Sequence, residues 1–284
     1  MAVAEIDEQL AGLDALEIEE DRESRARKLW AQTWPKVGAV GLAILLWQVV
    51  VWTRWRPEFA LPGPGTVFPR FFDELGKYVT WRAIGITLRR ALVGFAMAIV
   101  IGGVLGITVS RFRVVRTAVG SLITGLQTMP SIAWFPLSLL LFQKSEAAIY
   151  FVIVLGAAPS IANGLITGID HIPPILLRAG RVLGAKGMHA YRHVVLPAAL
   201  PTFVAGLKQG WAFVWRSLMA GELLVIIANR PSIGARLAFE AEWSDAPGLI
   251  SYMIIILIIG ILVDAVGFAS IERIMRRRRG LSAN

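Results

Sequence analysis

The stretch that decides the fold is Pro174-Ile-Leu-Leu-Arg-Ala-Gly-Arg-Val-Leu-Gly-Ala-Lys-Gly-Met-His-Ala-Tyr-Arg-His-Val-Val-Leu-Pro-Ala198. Pro173 and Pro174 suit a helix start, because a proline in the first turn forfeits no hydrogen bond. Gly184 to Gly187 permits a sharp break, and Pro197 marks the entry into a further helix. The stretch is basic, carrying Arg178, Arg181, Lys186 and Arg192. A helix–turn–helix of this length is more than a plain connector needs. The residues leave two readings open: a docking surface for a partner, or an amphipathic helix resting on lipid.

Long apolar runs lie on both sides. Residues 147–169 precede the stretch, and 197–229 follow it with Lys208, Arg216 and Glu222 inside. Further out are 37–52, flanked by Trp30, Trp34 and Trp55, and 91–110, a run without charge. Residues 117–142 form another run, interrupted by Pro130 and Pro136, and 246–263 form the last, with helix continuing to Glu272. About 18 uncharged residues in a row is the mark of a membrane span. Six such helices make an all-α polytopic membrane protein. Composition agrees: 56% of the 284 residues are hydrophobic and 17% charged, against about 45–50% and 25% in soluble domains. Mean hydropathy is +0.62. Cysteine is absent, which excludes disulfides and thiolate metal sites.

The net charge of +9 is unevenly spread. Residues 1–21 hold eight acids and no base, and no cleavable signal peptide is expected from so acidic a start. Bases cluster at Arg22–Lys28, Arg111–Arg116, Arg178–Arg192 and Arg273–Arg279. With six spans all four clusters fall on one face, the cytoplasm, together with both termini. Topology therefore accounts for the basicity, and no nucleic-acid partner is implied. Residues 54–82 violate the rule, with five bases and three acids. There Leu61-Pro-Gly-Pro-Gly65 reads as an extended turn before a surface helix from Val67. The expected organisation is a tail (1–34), a first span and outer loop (35–82), a core (83–273, with the inner loop at 174–197) and a basic tail (274–284). Ile6, Leu10, Leu13 and Leu16 give the first tail roughly helical spacing.

The quoted stretch resembles the EAA loop of ABC-transporter permeases of the type I importer fold. That pattern is E-A-A, three residues, Gly, nine residues, then I-x-L-P. Here it is Arg178-Ala179-Gly180, Gly184, then Val194-Val195-Leu196-Pro197, with matching spacing and with Arg178 and Gly180 departing from it. Leu61-Pro62-Gly63-Pro64, Met129-Pro130-Ser131-Ile132-Ala133-Trp134-Phe135-Pro136-Leu137 and Trp215–Glu222 resemble segments of the nitrate, sulfonate, taurine and bicarbonate branch. Leu141-Phe142-Gln143 stands where that branch has W-F-G. The resemblance implies a bacterial inner-membrane subunit working as two copies, with a cytoplasmic ATPase dimer and an external solute-binding protein. It implies a small anionic nutrient such as an aliphatic sulfonate or taurine, with nitrate, bicarbonate or another small polar nutrient as the alternative. On it, Arg178, Ala179, Gly180, Arg181, Leu183, Gly184, Ala185, Lys186, Gly187, Leu196 and Pro197 couple to the ATPase, with Leu176, Leu177, Val182 and Leu183 as apolar anchors.

The chain has no G-x-x-x-x-G-K-[ST] run, so it is not expected to be an enzyme or to bind a cofactor, and ATP and Mg²⁺ belong to the partner ATPase. Trp211, Trp215, Leu218 and Glu222 recur at helical spacing and share one face. They are candidates for a substrate path, and Glu222 for its gate, or else for an internal salt bridge. Gln127 and Asn163, near helix breaks, are further path candidates. His189 and His193 are spaced as metal ligands can be, but no third ligand is near, so no metal is expected. Glu240 and Glu242 sit on an outer loop where nothing is expected to desolvate them. Membrane-depth Ser–His, Asp–Asp or His–Glu–His sets are lacking, which argues against an intramembrane enzyme. A purely structural membrane protein would leave the inner loop without a purpose.

Overall fold

The computed structural model describes residues 25–278. The acidic tail's helical spacing and the last basic residue, Arg279, lie outside them. The chain divides into two units, Met1–Gly65 and Thr66–Asn284. The first holds helix α1 (Arg25–Trp52), and in it the Trp47 indole N–H donates to the Pro62 carbonyl at 3.1 Å.

α2 (Pro64–Gly76) begins inside the expected turn, because Pro64 and Gly65 fit a helix's first turn. It is not a lipid-surface helix: Val67 and Phe71 are buried, Phe71 packing with Ile233 and Tyr252. α3 (Tyr78–Arg111) is 34 residues long and starts well before the uncharged run. α4 (Arg113–Thr128) meets a 3₁₀ turn (Ser131–Trp134) and α5 (Phe135–Phe142) at a bend of 104°. The cause is local: Met129, preceding Pro130, is forced into an extended conformation (φ −73°, ψ 128°). Pro136 sits in the first turn of α5, where it costs nothing.

α6 (Glu146–Asp170) is followed by α7 (Pro174–Val182), the short α8 (Gly187–Ala190) and a π-turn (Tyr191–Val195) that runs straight into α9 (Leu196–Leu224). α10 (Ile233–Glu242) and α11 (Ala246–Leu262) follow, and a π-segment (Val263–Phe268) continues α11 into α12 (Ala269–Arg278). Among the described residues no strand occurs, as the all-α expectation requires. Four helices there are long and apolar enough to cross a membrane, or five if the bent pair is one span. The expected count of six needs α9 as well. It is 29 residues long but carries three charges, and it is not among those four.

α6 is the axis of the second unit: 61% of its most apolar window is buried, against 28% for α3. α3 and α9 flank it along seams of small residues. Gly94, Ala98, Gly102 and Gly106 form one ridge of α3 at four-residue spacing, all buried. A Cβ on Gly102 would lie 2.6 Å from the Ala158 carbonyl oxygen. Across the other seam, a Cβ on Gly164 would lie 2.5 Å from the Gly206 Cα. Helices in lipid gain little by hiding apolar surface from one another, so close backbone approach supplies their packing energy. Gly106 and Gly156 also pack closely, whereas Gly103 faces open space.

Candidate functional site

The inner loop is held by few groups. Gly180 is its buried point on α7: a Cβ there would lie 2.8 Å from a Val194 methyl. This accounts for glycine in place of the second alanine of the motif. The chain then turns, with Leu183 N–H donating to Ala179 O at 3.0 Å and Ala185 N–H to Gly180 O at 2.9 Å. Gly184 and Gly187 have φ of +83° and +55°, a region that side chains strain to adopt. No atom lies within 4 Å of either glycine's Cβ position, so the requirement is backbone conformation, with no clash involved.

The expected apolar anchors are not anchors. Val182 and Leu183 are 87% and 86% exposed, Met188 81%, and Leu176 and Leu177 are only partly covered. α7 touches the bundle through its glycine edge, so its apolar face points out. The loop is fixed instead by Ile172, Val195 and Ala199, which form a small core with Ile169 and Tyr191. Arg178, Ala179, Arg181, Lys186, Leu196 and Pro197 are exposed and Ala185 is buried. Shallow cavities of about 400 and 440 Å³ flank the Gly180–Val194 contact; Arg181 and Lys186 line the first, and Leu183 and Pro197 the second. Bare apolar side chains beside exposed cations make a surface suited to a partner. His189 and His193 stack at 4.1 Å on the exposed side, and among the described residues no group of three metal-ligating side chains occurs.

The proposed face of α9 turns inward. Trp211 is buried against Phe95 and Phe268, Leu218 and Glu222 are fully buried, and Trp215 is half-buried beside Gly260. α9 is packed on that side by α3 and α6, so these residues form core, and Glu222 takes the salt-bridge alternative. Its carboxylate accepts from Arg90 Nη1 at 2.9 Å, Thr87 Oγ1 at 2.9 Å and the Gly234 N–H at 3.1 Å. The other side of Arg90 donates to Glu146, Nη2 to Oε1 at 2.7 Å, and Glu146 also accepts from Arg230 at 3.0 Å. Lys208 likewise pairs with Asp264 at 2.9 Å. Between Phe203 and Leu218 α9 exposes Ala205, Gln209 and Arg216, with Arg216 lying over the Phe213 ring. Asn163 is exposed on α6 and Gln127 half-buried on α4. Arg90 was missed because the uncharged run was counted from residue 91. The clue was Glu222 itself, a carboxylate at membrane depth that needs a cation.

A second polar cluster ties α2 to α10 and α11. Glu74, fully buried, accepts from Tyr252 Oη at 2.8 Å and Lys77 Nζ at 2.8 Å and lies 3.2 Å from Arg70. Arg236 donates to Tyr252 Oη at 3.1 Å and Glu240 Oε1 at 3.3 Å. Glu240 is buried, contrary to expectation, and burial pushes its carboxyl above the ordinary range against the pull of Arg236. Burial acts on Glu74 too, but bonds from Lys77 and Tyr252 and the nearby charges outweigh it and hold its carboxyl below that range.

These features, a bent span, a glycine-packed three-helix core and a structured inner loop, are those of a transporter's membrane subunit. The sequence model of the "Binding-protein-dependent transport system inner membrane component" matches residues 98–280, and the chain belongs to that family. It is thus a multi-pass membrane permease component of ABC importers, without ATPase activity of its own. The nitrate import permease protein NrtB of Synechocystis sp. is 30% identical over 250 residues, covering 81% of this chain and 86% of the relative. The bicarbonate transport system permease protein CmpB of Synechococcus elongatus is 28% identical over 251 residues, covering 84% and 89%. A solved inward-facing MetNI methionine ABC transporter chain shares the fold, with a TM-score of 0.59 at 22% identity over 72% of this chain and 97% of that one.

Proposed function

We infer that this permease carries a small oxyanion nutrient inward, as one of two copies sharing a translocation path. The similarity to nitrate and bicarbonate permeases supports nitrate and bicarbonate as the first substrates to try, with sulfonate and taurine next. An external solute-binding protein delivers the anion. A cytoplasmic ATPase dimer, holding ATP and Mg²⁺, docks on the 174–197 loops. Both termini lie on that cytoplasmic side, and lipid surrounds the spans. Along the path the polar side chains of Asn163, exposed, and Gln127, half-buried, are the stronger candidates. Trp211, Trp215 and Glu222 act from behind, by holding α9 and Arg90 in place.

The observation that carries the coupling role is the loop's build. Bare Val182, Leu183 and Met188 stand beside Arg181 and Lys186 on a turn fixed by two left-handed glycines. A motor subunit can grip such a surface, and the helical continuity from Gly187 through Leu224 conveys a tilt into the bundle. The test is uptake of labelled nitrate, bicarbonate and taurine into liposomes holding permease, ATPase and receptor. ATP-dependent, receptor-dependent accumulation of one of them is expected. Failure of the ATPase to co-purify with the permease would remove the reading.

A further inference from the structure

The side of the Arg90 network away from Glu222 opens into a cavity of about 570 Å³ at the neighbouring ends of α3, α6 and α9. Arg82, Arg89, Arg90, Arg230, Glu146 and Tyr150 line it. The charges do not balance. Glu146 is occupied by Arg90 and Arg230, and Glu222, behind the wall, by Arg90, Thr87 and the Gly234 N–H. Four guanidinium groups thus face two carboxylates, leaving an excess of two positive charges. That excess rests on Arg82 and Arg89. Arg82 makes one long bond, to the Asn229 carbonyl at 3.5 Å, and Arg89 has no hydrogen bond or ion pair among the described residues. They are seven residues apart on α3, so both project from one face of the helix. Both are exposed on that face, toward the cavity that they line.

An uncompensated arginine in a spanning helix is costly unless it meets water or an anion. The network gives this pair a rigid backing, since Arg90 is itself buried and fixed at both ends. A guanidinium fork matches the paired oxygens of a planar oxyanion and exceeds a lysine in this. We propose that the cavity is a binding site for a small oxyanion such as nitrate or bicarbonate, with Arg82 and Arg89 as its binding side chains. On the topology inferred above it lies at the outer mouth, where the receptor gives up its cargo, and in class and side it rests on that reading. Arg90, Glu146 and Glu222 are positioning residues that hold the wall.

The experiment is calorimetric titration of the purified permease–ATPase complex, without receptor, using sodium nitrate and bicarbonate with chloride as reference. The variants are Arg82→Gln, Arg89→Gln and the double variant. Lys144→Gln is the control, removing a cation from a neighbouring loop that does not line the cavity. Saturable binding is expected in wild type and in Lys144→Gln. Each single change should weaken it about tenfold, the worth of one charge-assisted bond, and the double should abolish it. Uptake at saturating receptor should fall in the double variant while receptor docking is unchanged. A double variant that titrates like wild type overturns the site. So does one that loses receptor docking with its titration unchanged, for the cavity would then serve an acidic protein surface. If the wild-type complex imports none of the anions yet titrates as expected, the import reading fails and the site stands.

Discussion

Glycine serves opposite purposes in the bundle and in the inner loop. Between α6 and α9, Gly164 and Gly206 face each other so closely that a Cβ on either would meet the other's Cα, at 2.5 and 2.7 Å. In the loop, Gly184 has nothing within 4 Å of its Cβ position but holds φ at +83°. In the bundle the missing side chain makes room. In the loop it frees the backbone. The bundle is therefore intolerant of size, and the loop is intolerant of conformation. The two regions can be perturbed separately.

The largest effect is expected where space is lost against backbone, which cannot rotate away. Gly206→Leu should prevent stable packing of α9 on α6, and detergent-purified protein should aggregate or fail to accumulate. Gly206→Ala should cost about 1–3 kcal/mol, as overpacked cores do. A Gly206→Leu protein with wild-type melting would show that the seam is looser than its distances say. In the loop the cost is smaller, about 1–2 kcal/mol for a side chain in the left-handed region, and it falls on function. Gly184→Leu should insert, melt only a few degrees below wild type and lose coupled uptake. Gly184→Asn should keep most uptake, because asparagine tolerates that conformation. Equal loss in both variants would mean that side-chain size matters at Gly184, against the open space around it.

The contrast also shows what the sequence could disclose. Four spans, and the bent pair as a fifth, were legible because lipid imposes length and apolarity, and the inner loop because its glycines and prolines punctuate a basic segment. The Gly164–Gly206 contact was not, since nothing local says which glycines of two distant helices meet. The direction of α9 was not legible, for a related reason. Periodicity groups Trp211, Trp215, Leu218 and Glu222 on one face but does not say whether that face meets its own chain or a pore. Exposure of Val182 and Leu183 was likewise hidden, because an apolar pair looks the same whether it anchors inward or waits for a partner.

Gly180 stands between the two regimes, being a loop glycine used for space. Its neighbour is a Val194 methyl at 2.8 Å, a side chain that can be trimmed. Gly180→Ala alone should pry α7 from the π-turn and lower the ATPase rate stimulated by the receptor by a few fold. Adding Val194→Ala should restore most of it. Without that rescue, Gly180 would act on the ATPase directly and not through its contact.

The smallest effect concerns Glu240 and Glu74, two carboxylates in one cluster whose burial ends differently. A carboxyl raised in the folded state binds its proton more tightly there than when unfolded. Glu240 therefore lends stability at low pH, and this is lost as pH rises from the ordinary glutamate value of 4.5 through the raised one. Glu74 is depressed, so its contribution is full above 4.5 and is lost as pH falls toward the lowered value. Glu240→Gln, nearly isosteric, should flatten the decline above 4.5 and leave the melting temperature at pH 7 unchanged or about 1–2 °C higher, the scale of about 0.5 kcal/mol. Glu74→Gln should lower it, since Lys77 and Arg70 lose the carboxylate they share. Melting of the purified protein from pH 4 to 8 reads both. If Glu240→Gln melted as far below wild type as Glu74→Gln at pH 7, the Arg236 charge would outweigh the burial of Glu240, and the cluster would be a plain ion-pair network.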